Sequence, residues 1–185
     1  MKRKHIAVAL IPILFVLLCV ALVLLITETA SFRLNGYGVD SSGKLYVGRA
    51  HEIHVFEDGR EISTIHIPRY RTWGFTVLAD DRIALSDSTT IYIMDLSGEI
   101  LETKEDSKSV EYRKWSNQKE FTGSDGQVYK LKRIWGRSRI IDSANRGVYE
   151  SPVLDSIATV SFFVSVIGGI AVILFVASRI KSAKE

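Results

Sequence analysis

The chain cannot form an internal disulfide, because its 185 residues include a single cysteine, Cys19. The residue before it, Leu18, is larger than the small residue expected before a lipid-modified cysteine, so Cys19 is interpreted as an apolar side chain buried in a membrane helix. Asn35, Asn117 and Asn145 all lack Ser or Thr two places on, which excludes N-glycosylation. These absences predict a domain held by its own core and favour a bacterial envelope protein over a eukaryotic surface protein.

Charge is absent from two long runs, residues 6–26 and 157–177, which hold 21 uncharged residues each. At about 1.5 Å of rise per residue, such a helix spans roughly 31 Å, the thickness of a bilayer's hydrocarbon core. The runs therefore predict two transmembrane helices and exclude a free-standing soluble protein. The first run is longer than the apolar region of a signal peptide and lacks a small-x-small cleavage site, so we expect an uncleaved anchor.

Basic residues lie outside both runs, and the two tails carry +3 and +2 in a chain whose net charge is +3. The inner flanks carry Glu28 and Asp155 instead. Because Lys and Arg beside a span are retained in the cytoplasm, we predict cytoplasmic termini and a central domain outside, with no nucleic-acid partner. The predicted segments are a tail (1–5), a transmembrane helix (6–26), an extracytoplasmic domain (27–156), a second transmembrane helix (157–177) and a tail (178–185).

The central domain shows no convincing 3.6-residue apolar stripe. Alternating Val, Ile, Tyr and Thr between Gly, Asp and Ser turns instead predict an almost all-β, antiparallel domain. Residues 45–47 and 53–57 align with 83–85 and 91–95 at a constant offset of 38, and a weaker third copy begins at residue 124. Repeats of about 40 residues with four strands each are typical of propeller blades.

Residues 39–47 and 93–101 each place a D-x-x-G turn between two strands. These phrases resemble blades of bacterial β-propeller families, and the resemblance covers roughly residues 36–150. It implies about three blade-like antiparallel repeats. Since such families have many functions, it carries no catalytic residue to this chain.

Three blades are fewer than the 4 to 8 of a typical closed propeller. Three arrangements therefore remain open: two chains close a ring, the incomplete propeller packs on a partner, or the meander folds into a small sandwich. Open sheet faces and edges promote association. We thus expect the isolated domain, residues 31–152, to self-associate or to be marginally stable.

No catalytic constellation is visible. His51 and His54 are three apart on a predicted strand, which points them to opposite faces and does not match zinc-site spacing. If residues 58–59 form a two-residue turn, His51 lies opposite His66, a pair that would bind a metal or respond to pH. A one-residue bulge would abolish this pairing, and the alternative interpretation is that both are solvated surface histidines. The sequence has no G-x-S-x-G motif and no phosphate-binding glycine loop, so we expect no metal, no cofactor and no enzymatic activity.

Two clusters of arginine beside aromatic residues lie between the repeats. Such residues are enriched in protein interfaces, although each cluster is equally consistent with a core aromatic flanked by solvated charge. The candidate interface residues are Arg69, Tyr70, Trp73, Tyr112 and Trp115.

The second apolar run carries small residues on one face, at Ser161, Ser165 and Gly169. Small residues let helices approach closely in lipid, so these three are candidate helix-packing residues, toward the first run or toward another subunit. Together, the features predict a two-pass membrane protein whose outer domain serves binding, sensing or assembly in a homo- or hetero-oligomeric complex. The alternatives are an accessory subunit of a transporter or secretion system and an envelope enzyme.

Overall fold

The computed structural model describes residues 2–27, 29–67, 72–106, 108–124 and 126–182, with helix side chains described from residue 10 to residue 178. Within these residues the helices are α1 (Lys2–Ile26), α2 (Val110–Ser116) and α3 (Val153–Ser182). The strands are β1 (Tyr37–Val39), β2 (Leu45–Arg49), β3 (Glu52–Glu57), β4 (Arg60–His66), β5 (Gly74–Val77), β6 (Ile83–Ser86), β7 (Thr90–Met94), β8 (Ile100–Glu105), β9 (Glu120–Thr122), β10 (Val128–Ile134), β11 (Arg137–Ile141) and β12 (Gly147–Glu150).

The chain divides into two compact units. The helical unit consists of Met1–Phe32, Trp135–Arg137 and Pro152–Glu185. The β domain consists of Arg33–Ile134 and Ser138–Ser151.

Three four-stranded antiparallel sheets make up the β domain, which confirms the predicted antiparallel β architecture. The first sheet is β1–β4, the second is β5–β8 and the third is β9–β12, and within each sheet the strands are neighbours in chain order. The sequence repeat follows this division, because the aligned segments fall on β2 and β3 of the first sheet and on β6 and β7 of the second.

The first sheet packs against the other two, one on each face. Tyr46 joins an apolar cluster with Phe75 and Leu85 of the second sheet. Its neighbours Leu45 and Val47 point the other way and join a cluster with third-sheet residues such as Ile140. Successive side chains of a strand alternate between faces, so β2 is apolar at consecutive positions because both of its faces are buried.

The outer face of the second sheet is covered by α2, a helix that the sequence analysis did not predict. Trp115 of α2 is buried and packs against Ala84 and Ile93. The helix lies close to β5, since a Cβ added at Gly74 would be 2.8 Å from the amide nitrogen of Ser116. With seven residues, α2 is too short to display an apolar period, and one tryptophan supplies most of its burial.

The outer face of the third sheet is charged. Tyr129 of β10 belongs to the internal cluster, so its neighbours Lys130 and Lys132 point outward, and both are exposed. Lys130 forms a 3.1 Å ion pair with Glu120. On the same sheet Arg139 pairs across the strands with Glu150. The stack of sheets thus ends in a helix on one side and in a solvated face on the other, as terminal repeats of stacked proteins do.

In the helical unit, α3 contains an apolar run, Val153–Ser178, whose 26 residues are long enough to cross a membrane. This finding agrees with the predicted run 157–177. The described apolar part of α1, Leu10–Ile26, is shorter. The predicted run 6–26 begins among side chains outside the described ones, and the structure does not show a second span.

Candidate functional site

Every second turn of the β domain lies at one end of it, starting with the turn between β1 and β2. β1 and β5 run in the same direction, as shown by the parallel bridge between Gly36 and Phe75, and the antiparallel order then places the alternate turns of the first two sheets at a common end. Asp142 and Arg146 of the third sheet lie at this end too, because they line the same cleft as Asp58. Among the charged residues described in these turns, acidic side chains outnumber basic ones. We call this the acidic end, and it comprises Asp40, Ser41, Ser42, Gly43, Lys44, Asp58, Gly59, Asp80, Asp81, Arg82, Asp95, Asp142 and Arg146.

The turn from Asp40 to Lys44 has its conformation set by one carboxylate. Asp40 Oδ1 accepts hydrogen bonds from the Ser42 amide at 3.0 Å, the Ser42 hydroxyl at 2.8 Å and the Lys44 amide at 2.9 Å. Gly43 takes a φ of +87°, which side-chain-bearing residues rarely adopt. The D-x-x-G sequence therefore encodes a rigid turn, since Asp supplies the acceptor and Gly the left-handed residue.

Hydrogen bonds with Tyr46 and Asp81 connect this turn to β2 and to the second sheet. The Tyr46 hydroxyl donates to Asp40 Oδ2 at 3.1 Å. Burial, followed by the nearby charge of Asp40, raises the pKa of Tyr46 well above its usual value, so the phenol remains a neutral donor. From the second sheet, Asp81 accepts hydrogen bonds from both the amide and the hydroxyl of Ser41. The turn is thus preorganised between two sheets.

The same arrangement recurs at Asp95, in the turn between β7 and β8. Asp95 Oδ1 accepts from the Ser97 hydroxyl at 2.6 Å, the Ser97 amide at 2.8 Å and the Glu99 amide at 2.9 Å. These hydrogen bonds lower the pKa of Asp95 below its usual value, and the bond from the Ser97 hydroxyl contributes most. The two D-x-x-G phrases quoted in the sequence analysis therefore fold alike.

A cleft lies on each side of the Asp40 turn. The first, of about 300 Å³, is lined by Asp40, Ser41, Ser42, Lys44, Tyr46, Val55, Ile62, Ser63, Asp81 and Leu96. The second, of about 340 Å³, is lined by Val39, Gly43, Leu45, Phe56, Asp58, Gly59, Tyr129, Asp142, Arg146, Gly147 and Val148. Both combine carboxylates and a cation with apolar walls, a lining suited to binding a polar or basic group. None of the described residues that line them is a histidine or a cysteine.

The candidate interface residues occupy different environments. Arg69 and Tyr70 lie outside the described residues. Trp73 and Trp115 are buried in the β domain, and the Trp73 indole donates to the carbonyl of Ala50 at 2.7 Å. Tyr112 is half-buried, and its hydroxyl accepts a 3.2 Å hydrogen bond from Arg33. The two tryptophans pack within their own domain, and a contact of this set with a partner stays a prediction.

The candidate helix-packing residues lie in the helical unit. Ser161 and Ser165 are buried, and the Ser165 hydroxyl donates to the Ser161 carbonyl at 2.6 Å. Gly169 has open space where a Cβ would be, whereas a Cβ at Gly168 would lie 2.7 Å from Leu14 Cδ2. Of the two glycines of α3, it is therefore Gly168 that lies against α1, a residue that the sequence analysis did not select.

The conditional pairing of His51 with His66 does not form, because the strand contains a one-residue bulge. Glu57 pairs with Arg60 around the Asp58–Gly59 turn, as predicted, but a bulge between Val55 and Phe56 then shifts the register. As a result, Glu52 and not His51 lies opposite His66. His54 Nδ1 donates a 2.8 Å hydrogen bond to Glu61 Oε1. Among the described residues, no group of three or more His, Cys, Asp or Glu is arranged to hold a metal ion.

The sequence analysis selected neither the acidic turns nor the two clefts. The available signal was the repeated D-x-x-G phrase, because turns with the same hydrogen-bonding pattern in successive repeats tend to lie at the same end of the sheets. What could not be read from the sequence was the packing of one sheet on the next, which forms the cleft walls.

No protein-family model and no curated protein matches this chain. Among solved structures, a protein of unknown function from Bacteroides caccae is similar at 16% identity with a TM-score of 0.33, over 64% of this chain and 45% of that one. Virginiamycin B lyase from Staphylococcus aureus, in a catalytically inactive form with quinupristin, is similar at 14% identity with a TM-score of 0.34, over 64% of this chain and 40% of that one. A streptogramin B lyase shares 12% identity, with a TM-score of 0.33 and the same coverage.

This chain thus spans less than half the length of these structures. The similarity is a weak resemblance to blade repeats of a β-propeller-like fold, and it identifies no particular protein. It also corrects one expectation from the sequence. Because virginiamycin B lyase is an enzyme, the absence of catalytic motifs no longer justifies the expectation that this protein is not one, although likeness at this level assigns no activity to the chain.

Proposed function

We propose that this chain is a two-pass membrane protein with both termini in the cytoplasm, and that its β domain lies outside and binds a protein partner through the acidic end. The two clefts that flank the Asp40 turn carry the proposal. Their shared wall is a turn whose backbone is held by one buried carboxylate, so little conformational entropy is lost when a partner binds. A partner that offers basic or hydrogen-bond-donating groups complements the excess of carboxylates.

Contacts within the helical unit support the two-pass arrangement. The Ser31 amide donates to the Asp155 carboxylate at 2.9 Å, which ties the segment after α1 to the first turn of α3. Leu14 of α1 lies directly against Gly168. A paired α1 buries part of its apolar surface on α3, and the basic residues beyond both helices favour cytoplasmic termini.

A second candidate function is assembly with another membrane subunit. A groove of about 310 Å³ runs between α1 and α3, and its lining consists of Ile11, Leu14, Phe15, Leu18, Ser165, Gly169, Val172 and Ile173. Open space at Gly169 gives a further transmembrane helix room for close approach. This arrangement would suit an accessory subunit of a transporter or secretion complex.

Topology is tested with single cysteines in a Cys19→Ala background. A membrane-impermeant thiol reagent should label Ser42→Cys in cells whose inner membrane is intact. In cells with an outer membrane, that membrane is first permeabilised so that the reagent can pass. The reagent should label Ser182→Cys only after the inner membrane is opened. Labelling of Ser182→Cys in intact cells would overturn the proposed orientation.

Binding at the acidic end is tested by photo-crosslinking in cells. A photoreactive amino acid at Ile62, which lines the first cleft and is 48% exposed, should give a crosslinked species of defined mass. The matched control is the same amino acid at Lys132, which is exposed on the outer face of the third sheet. Equal crosslinking from both positions, or none from Ile62, would contradict binding through the cleft.

A further inference from the structure

The turn between β10 and β11 presents an unusually exposed aromatic side chain. Trp135 is 79% exposed, and Ile134 before it is 67% exposed. The turn is tight, because Trp135 and Gly136 adopt φ values of 50° and 79°. A left-handed conformation is unfavourable for a bulky residue, yet the side chain at this position is an exposed indole.

This turn is attached to the beginning of α3 within the helical unit. The Ser156 hydroxyl donates a 2.7 Å hydrogen bond to the carbonyl of Trp135. Any side chain at Gly136 would collide with the side chain of Thr159, so the backbone of the turn lies directly against the helix. The position of Trp135 along α3 is therefore set by two contacts.

The length of α3 indicates what surrounds that position. The 26-residue apolar run, Val153–Ser178, is about 39 Å long as a helix, whereas the hydrocarbon core of a bilayer is about 30 Å thick. About 9 Å of the run is left for the headgroup region. The polar residues Asp155 and Ser156 place this surplus at the start of the run, and Thr159 lies about 9 Å beyond Val153.

Other aromatic side chains lie near this end of α3. Phe32 is 42% exposed and packs edge-to-face on Phe162, with ring centroids 5.5 Å apart. Phe163 is 54% exposed. An exposed indole above exposed phenylalanines matches the order of aromatic residues at a membrane surface, where amphipathic rings occupy the headgroup level.

We propose that Trp135 inserts into the headgroup layer of the phospholipid bilayer that α3 spans, and that it anchors the β10–β11 turn there. The proposal rests on the membrane placement proposed above. The indole ring gains an apolar environment while its N–H donates to headgroup oxygens.

The test uses the full chain in phosphatidylcholine–phosphatidylglycerol liposomes, with nitroxide labels on single cysteines in a Cys19→Ala background. Accessibility to oxygen, which concentrates in lipid, is compared with accessibility to a nickel chelate, which stays in water. The labelled variants are Trp135→Cys, Ala144→Cys in the exposed β11–β12 turn, and Val166→Cys within the apolar run. We expect oxygen to dominate at 166, the chelate to dominate at 144, and position 135 to give a ratio of oxygen to chelate accessibility between these two.

The three positions separate the possible failures. A lipid environment at 166 with a water-like reading at 135 overturns the anchor alone. Low accessibility to both reagents at 135 indicates contact with protein and also overturns it. A water-like reading at 166 overturns the membrane placement and the anchor together.

A second measurement keeps the native side chain. Lipids brominated near the headgroup should quench part of the tryptophan fluorescence of the natural protein, and this quenching should be lost in Trp135→Phe. Trp73 and Trp115 are buried and provide the unquenched remainder. Equal quenching in the two proteins would overturn the proposal even if Trp135→Cys failed to fold.

Discussion

The hydroxyl of Ser86 donates a 2.7 Å hydrogen bond to the carboxylate of Asp106, and both residues are buried. Asp106 also accepts from the amides of Val110 at 2.9 Å and Tyr112 at 3.2 Å. One carboxylate therefore joins the end of β6 to the first turn of α2. This connection positions Trp115 over the outer face of the second sheet, which would otherwise be open.

Replacing Asp106 should loosen the helix that covers this face. Asp106→Ala leaves the α2 amides and the Ser86 hydroxyl without their acceptor, so we expect the free energy of unfolding to fall by about 2–3 kcal/mol. Urea unfolding followed by tryptophan fluorescence measures the change. Glu105→Ala, in the exposed strand next to it, is the matched control, and an equal loss in both variants would argue against a special role for Asp106.

Acid should destabilise the β domain partly through the same carboxylate. Burial raises the pKa of Asp106, but hydrogen bonds from Ser86 and from α2 amides outweigh it and hold the pKa below its usual value. A carboxyl with a depressed pKa in the folded state stabilises the protein above its unfolded pKa of about 3.9, and this stability is lost as pH falls through the folded value. Unfolding midpoints measured from pH 6 to pH 2.5 should therefore fall less steeply for Asp106→Asn than for the natural protein.

The isolated β domain, residues 33–151, should be a folded monomer. The sequence alone predicts self-association, because three repeats leave sheet faces open. In the structure, α2 covers one outer face and charged residues such as Lys130 and Glu120 solvate the other. Light scattering and a cooperative thermal transition provide the measurement, and concentration-dependent association would support the sequence-based expectation instead.

Removing the indole ring of Trp115 should expose the outer face of the second sheet. Trp115→Ala is expected to lower the free energy of unfolding by about 3–5 kcal/mol and to increase association of the isolated domain. Lys114→Ala changes an exposed neighbour in the same helix and should have an effect below about 0.5 kcal/mol. If the two substitutions behaved alike, Trp115 would not be the main contact of α2.

Pairing of α1 with α3 should depend on Gly168 more than on Gly169. Leucine at Gly168 collides with Leu14, whereas leucine at Gly169 extends into open space. In mild detergent, Gly168→Leu should lower the thermal unfolding midpoint and Gly169→Leu should leave it near the natural value. A larger loss in Gly169→Leu would indicate that the stripe chosen from the sequence packs on another subunit.

Local patterns explain which parts of the fold were predictable. Strand periodicity and the repeat with an offset of 38 anticipated the strands of the first two sheets, because alternation and turn chemistry depend on neighbours in the chain. The D-x-x-G phrases anticipated the rigid turns at Asp40 and Asp95 for the same reason. The bulge after Val55 was not predictable, since no glycine or proline marks it, and it moved Glu52 into the place expected for His51.

The sequence by itself determined the apolar run of α3, the antiparallel strands and the conformation of the Asp-centred turns, all of which follow from the order of residues over a few positions. Tertiary structure alone decided that the first sheet lies between the other two, that Trp115 covers an outer face, and that Gly168 rather than Gly169 meets Leu14. These features depend on which surfaces meet across long separations in the chain. Shape and burial select such contacts, and neither is encoded in a local period.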